Sequence, residues 1–203
     1  HSYLLEKAAL LEDKQLAADI YLSVGSSQYN LGEYRDAIIT LKRAFELYEL
    51  EQDTQGAGDV LNALANVNND LGYTDLALNY LEKALTIARE KDDQFAISII
   101  LYNMSNSYSF SGNDDKATEY MLKSLKISMS LNDAVGIGWA KKKLADIYLS
   151  QEKWRLALDT YEDVESIFEE SGDITLGFDI AIGQASAYYK LGLLDQAQSK
   201  AEL

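Results

Sequence analysis

The sequence predicts an all-α chain of stacked antiparallel helix pairs, and three observations carry that expectation. No proline occurs in 203 residues, so no ring clash or missing donor interrupts a helix. A short glycine–alanine motif returns every forty residues. Within each period the apolar residues step by three and four, which places them on one helix face. A self-similar period of this length is the mark of a helical-repeat architecture, in which each hairpin buries its apolar side against the next.

The motif reads Leu31-Gly32-Glu33-Tyr34-Arg35-Asp36-Ala37, then Leu71-Gly72-Tyr73-Thr74-Asp75-Leu76-Ala77. It returns as Ser111-Gly112-Asn113-Asp114-Asp115-Lys116-Ala117 and as Leu191-Gly192-Leu193-Leu194-Asp195-Gln196-Ala197. The copy between them, Gln151-Glu152-Lys153-Trp154-Arg155-Leu156-Ala157, has Glu152 in the glycine slot. The alanine column Ala37, Ala77, Ala117, Ala157 and Ala197 is unbroken. Asp13, Asp53, Asp93, Asp133 and Asp173 keep the same period and precede each new periodic run. An aspartate there is a helix N-cap, because its carboxylate accepts the free N–H groups of the first turn.

In chain order the repeats are expected at 13–52, 53–92, 93–132, 133–172 and 173–203, with 1–12 as the tail of a preceding one. First helices are expected near 14–30, 54–70, 94–110, 134–150 and 174–190. Second helices are expected near 34–50, 74–91, 114–131 and 154–171, with a last one beginning at 194. The stripe Ala37, Leu41, Ala44, Phe45 and Tyr48 defines a second helix, and Ala77, Leu81, Ala84, Leu85 and Ala88 repeat it. The small column Gly25, Ala65, Ser105, Ala145 and Ala185 marks where backbones should approach most closely. Repeat four departs most, with Lys141 and Glu165 in apolar slots and Glu152 in place of glycine. Trp154 should pack across a turn, and the column Tyr108, Tyr148 and Tyr188 between helices.

The run Leu101, Met104, Ser105, Tyr108, Gly112 and Ala117 resembles the tetratricopeptide repeat motif. The resemblance covers nearly the whole chain in five registers, with a period of forty instead of the common 34 and no closing proline. It implies a right-handed superhelix whose first helices line a concave, ligand-binding face. This longer form is similar to the repeat regions of bacterial signalling proteins (sensor kinases, diguanylate cyclases with GGDEF domains, transcription regulators) and of eukaryotic scaffold adaptors. The chaperone-binding members of the family hold a carboxylate with lysine and asparagine on the first helix, and Leu22 and Ser26 occupy those slots here.

Composition narrows the chemistry. Thirty-three acidic residues against 18 basic ones leave a formal charge of −15. Such a chain repels phosphate backbones, so nucleic acid is not an expected partner. Cysteine is absent and His1 is the lone histidine, so neither a cysteine–histidine nor a histidine-based triad can form. No phosphate-loop signature occurs. Gly56-Ala57-Gly58 and Gly136-Ile137-Gly138 follow no strand and lack a third glycine, so they read as close-packing positions and not as a nucleotide site. Asn113-Asp114-Asp115 with Glu119 departs from an EF-hand loop and reads as a solvated turn. No catalytic residue, cofactor or metal is therefore expected, and no apolar run reaches the ~20 residues of a membrane span.

The expected function is protein or peptide binding, as a scaffold or sensory segment of a longer signalling protein. The alternative is a ligand-switched domain that binds a small molecule or signalling peptide and controls an attached output domain. By helical register, the groove of the first helices should present Asp59, Asn62, Asn66 and Asn69, then Tyr102, Asn106 and Phe110, then Trp139, Lys142 and Asp146. Asparagines on one face supply both donors and acceptors to a ligand backbone, and the aromatic residues supply apolar anchors. The ends lack polar capping helices, which points to a piece of a longer protein and to possible end-to-end self-association.

Overall fold

A computed structural model describes residues 1–169 and 174–202. Among the described residues there are eleven helices and no strand: α1 (Ser2–Ala9), α2 (Lys14–Asn30), α3 (Tyr34–Leu50), α4 (Thr54–Asp70), α5 (Thr74–Glu90), α6 (Gln94–Phe110), α7 (Asp114–Leu131), α8 (Ala134–Ser150), α9 (Trp154–Glu169), α10 (Ile174–Lys190) and α11 (Leu194–Ala201). The helices fall where the repeat places them. α2 to α6 are each 17 residues long, and three-residue turns join them, which accounts for the forty-residue period.

The aspartate caps form as the sequence predicts. Asp13 accepts the N–H of Leu16, Asp53 those of Gln55 and Gly56, Asp93 that of Ala96, and Asp133 that of Gly136. Asp173 lies outside the described residues. The glycines Gly32, Gly72, Gly112 and Gly192 hold φ between +73° and +79°, a backbone state that costs glycine nothing.

The turns that follow the second helices α3, α5 and α7 adopt the same state without glycine. Gln52, Asp92 and Asn132 have φ of 58°, 52° and 54°, and Glu152, in the glycine slot of repeat four, has 61°. Both kinds of turn close with the same pair of bonds. Glu33 N–H donates to Gln28 O at 2.8 Å and Gly32 N–H to Tyr29 O at 2.9 Å. Asp53 N–H donates to Tyr48 O at 2.9 Å and Gln52 N–H to Glu49 O at 3.2 Å. This is the Schellman closure, which satisfies carbonyls that the helix end leaves free.

The chain divides into two compact units, His1–Ser111 and Gly112–Leu203. In the first, α1 to α6 pack in series, and α2 touches α4 as α4 touches α6. The first helices thus form one continuous layer. Ala37, Leu41, Ala44, Tyr48, Val60 and Leu64 are central to its core. In the second unit α7 to α11 pack in series, and α8 touches α10. Its core gathers Ala145, Ala157, Tyr161, Val164 and Ile180, with Tyr148 packed against them.

Close approach explains several glycines. A Cβ on Gly25 would lie 2.7 Å from Leu41 Cγ, one on Gly56 would lie 2.4 Å from the Tyr48 ring, and one on Gly183 would lie 2.4 Å from that of Tyr161. The two tyrosines are clamps: Tyr48 donates to Asp19 at 2.6 Å, and Tyr161 donates to Asp146. Burial and the bonded aspartate push both phenols well above their ordinary pKa. The Gly56-Ala57-Gly58 run is therefore a packing feature, as expected from the absence of a preceding strand.

The departures of repeat four are accommodated by polar partners. Lys141 reaches Asp163 at 3.1 Å. Glu165 accepts from Gln184 at 3.0 Å and pairs with Lys200 at 2.6 Å. Burial alone would raise the Glu165 pKa, but the bonds from Gln184 and Lys200 and the lysine charge hold it below the usual value. Trp154 is half-buried, and its ring lies 5.7 Å from the ammonium of Lys190, the last residue of α10.

These joints and contacts are open to two tests. Gly25→Ala should lower the urea midpoint, because overpacking of about 1–3 kcal/mol exceeds the ~1 kcal/mol gain in helix propensity. Gly177→Ala, in α10 with open space around the new methyl, should raise it by about 0.5–1 kcal/mol. Equal signs for the two would contradict the packing described. Glu165 carries a depressed folded pKa, so its contribution to stability is complete above the unfolded value of about 4.3 and is lost as pH falls through the folded value. Glu165→Gln should accordingly flatten the loss of thermal stability between about pH 5 and 3, measured as melting temperature across a pH series.

Candidate functional site

The layer of first helices in unit 1 holds a cleft of about 160 Å3 between α4 and α6, floored by α5. Gln55, Gly58, Asp59 and Asn62 line it from α4, Ala84, Ile87 and Ala88 from α5, and Phe95, Ala96, Ile99 and Ile100 from α6, with Asp93 at its edge. Gly58 keeps the α4 wall low. A Cβ there would sit 3.4 Å from Ile87 Cγ2, in ordinary contact with the floor.

Two electrostatic features define the cleft. Asp59 is exposed at the rim, and partial burial together with the charges of Asp53 and Asp93 holds its carboxyl above the ordinary range, against a weak opposing bond from Gln55. Asp53 behaves oppositely: bonds from Gln15, from Gly56 N–H and from Gln55 N–H outweigh its burial and keep its pKa low. The far wall is apolar, and Phe95 is 56% exposed there.

The expected groove residues separate into distinct roles. Asp59 and Asn62 line the cleft. Asn62 also accepts from the Asn103 amide at 2.9 Å, so part of its hydrogen-bonding capacity is used between α4 and α6. Asn69 is 5% exposed and donates to Ser107 at 2.7 Å. It is a strut between the two helices, not an open groove position. Asn66, Tyr102 and Asn106 are half-buried, and the Asn106 side-chain oxygen has no hydrogen-bond partner among the described residues. Phe110, the last residue of α6, is 63% exposed. Trp139, Lys142 and Asp146 belong to the second unit. Trp139 is 39% exposed, while Lys142 pairs with Asp146 at 3.0 Å. Asp146 also accepts the Tyr161 hydroxyl, so this lysine charge is answered within its own helix. Burial is the main influence lowering the pKa of its neighbour Lys143.

Register reasoning passed over Phe95, Ile99 and the polar seam of Asn103 and Ser107. Phe95 and Ile99 are spaced i, i+4 on α6 and occupy the slots of Gln55 and Asp59 one repeat on, so the shared column of Asp59, Ile99 and Trp139 was the available signal for this face. The turn Asn113-Asp114-Asp115 serves local structure: Asn113 caps Lys116 N–H, Asp114 accepts from Ser150, and Glu119 pairs with Lys123. Among the described residues no group of three or more acidic, histidine or cysteine side chains could hold a metal ion, and no helix is long and apolar enough to cross a membrane.

Comparison with known proteins agrees with this architecture. The profile of the tetratricopeptide repeat family matches residues 16–90, 56–130 and 96–170, each frame beginning forty residues after the last. No curated protein matches the sequence significantly. Among solved structures, BtubC from P. vanneervenii superposes with a TM-score of 0.84 at 18% identity, covering 99% of this chain and 85% of that one. A signal transduction ATPase with numerous domains and a tetratricopeptide repeat sensor, from Pyrococcus horikoshii, gives 0.83 at 21% identity, covering 98% of this chain and 30% of that one. A Rap protein complexed with Competence and Sporulation Factor gives 0.81 at 19% identity, covering 91% of this chain and 52% of that one. At these identities the likeness is one of fold. The family profile reaches from α2 to the end of α9, over the same columns that build the helix pairs, and on that ground the chain belongs to the tetratricopeptide repeat family.

Proposed function

We propose that this chain is a non-catalytic docking module that holds an extended segment of a partner protein along the first-helix layer of unit 1. The observation that carries the reading is the open cleft between α4 and α6, which combines an acidic rim, an apolar wall and the amide of Asn62. Asn66 and Asn106, one repeat apart and half-buried on the same column, would pair with the backbone of the docked segment. An asparagine can both donate to a carbonyl and accept an N–H there. The net charge of −15 favours basic or polar partners and makes their association fast and salt-sensitive.

The wider setting we propose is a scaffold or sensory segment of a longer, bacterial signalling protein. The family membership supports the scaffold part of this reading, and the fold shared with a protein that carries a tetratricopeptide repeat sensor motivates the sensory part. Control of an attached output domain, such as a diguanylate cyclase, would be the regulatory form of the same binding.

The test is selection of ligands from a displayed random-peptide library, followed by titration against Asn66→Ala/Asn106→Ala. Losing two backbone contacts of ~1 kcal/mol each should weaken selected peptides by roughly tenfold or more. The melting temperature should move little. Equal affinity for the double variant would remove these asparagines from the docking face, and an empty selection would argue against peptide docking altogether.

A further inference from the structure

Asp59 is the carboxylate of the cleft that has neither a backbone N–H bond nor an ion pair among the described residues. Asp53 and Asp93 are bound by helix N–H groups, and Asp53 also by the Gln15 amide at 2.8 Å. Asp59 receives one long contact, from Gln55 at 3.5 Å. None of the ion pairs among the described residues includes it. Its surroundings make that charge costly: it is partly removed from water and faces two further anions. Lys91 lies near Asp53, where it helps to hold that carboxyl low.

Opposite this anion stands a strip of apolar surface, Ile87 on the floor and Phe95 and Ile99 on α6. Phe95 and Ile99 are both exposed. A negative charge with no ion pair, facing an apolar strip, is complementary to a long side chain with a hydrocarbon stem and a cationic end. The volume of about 160 Å3 lies below the roughly 300–1,000 Å3 of sites that enclose whole small molecules. It suits a single side chain presented by a chain lying outside.

We infer that the α4–α6 cleft is a subsite for one basic side chain of the docked segment, with its stem on Ile87 and Ile99 and its cation on Asp59. Arginine fits better than lysine, because its planar guanidinium is weakly hydrated and can lie against the Phe95 ring. The inference rests on the docking reading above and gives it a residue preference at one position.

The probe is N-acetyl-arginine amide, titrated into the 15N-labelled chain, with N-acetyl-citrulline amide as its uncharged counterpart. Saturable amide shifts are expected at residues 55–62, 84–88 and 93–100, with none from citrulline. Asp59→Asn should weaken the arginine probe by roughly tenfold, the cost of one charge-assisted contact. Phe95→Ala should weaken it as well while leaving the melting temperature nearly unchanged. Shifts scattered over the acidic surface, equal response to citrulline, or an unaffected Asp59→Asn variant would overturn the subsite. A library whose selected peptides compete at this face but carry no basic residue would overturn the subsite alone and leave peptide docking standing.

Discussion

From α2 to α9, and again between α10 and α11, the helix pairs depend on a single left-handed residue at each turn. That residue lets the chain reverse within three positions while the last carbonyls of the helix still find donors. Because the closure is the same after first and second helices, the turns from α2 to α6 have one length, and the columns of small and apolar residues stay aligned there. The buried alanines of the Ala37 column and the contacts of Tyr48 with Gly56 and of Tyr161 with Gly183 depend on that alignment. So does the position of the cleft, since α4 and α6 can face each other across α5 only if both enter at the same point of their repeats.

The fold was legible because its determinants repeat. Aspartate before each first helix and glycine before most second helices mark the boundaries to within a residue or two. The turns after second helices were harder to read, because Gln52, Asp92 and Asn132 adopt positive φ without the glycine that normally announces it. The site was legible only in part. Helical register assigns a residue to a face but does not say how much of that face the neighbouring helix covers. Asn69 was placed on the correct helix, and the approach of α6 then took it out of solvent through Ser107. Ile99 shares the column of Asp59 and Trp139, so the period does place it on this face, while Phe95 stands where the neighbouring repeats have Gln55 and Val135, a change of chemistry that hides the position. The Lys142–Asp146 pair, by contrast, could have been read from its i, i+4 spacing.

The two units deal with charge in different ways. Around α8 to α11, acidic groups are answered inside the fold, Glu165 in its apolar slot by Gln184 and Lys200, and Asp146 by Lys142 and Tyr161. Around α4 to α6, the carboxylates of Asp53 and Asp93 serve as caps while Asp59 has no ion pair among the described residues. A charge that the protein does not neutralise itself is available to an outside partner. Polar bonds hold the stack together in both units, and Asp59 is the cleft charge of the first that they do not answer.

The shared turn has an evolutionary corollary. A whole forty-residue cassette can be gained or lost between two joints of the same kind, and every downstream helix keeps its frame. Inserting one residue within a helix has a very different result, since each added residue rotates the rest of that helix by about 100°. The alanine column would then leave its interface. Lineages of such arrays should therefore vary in the number of cassettes far more readily than in the length of any one helix.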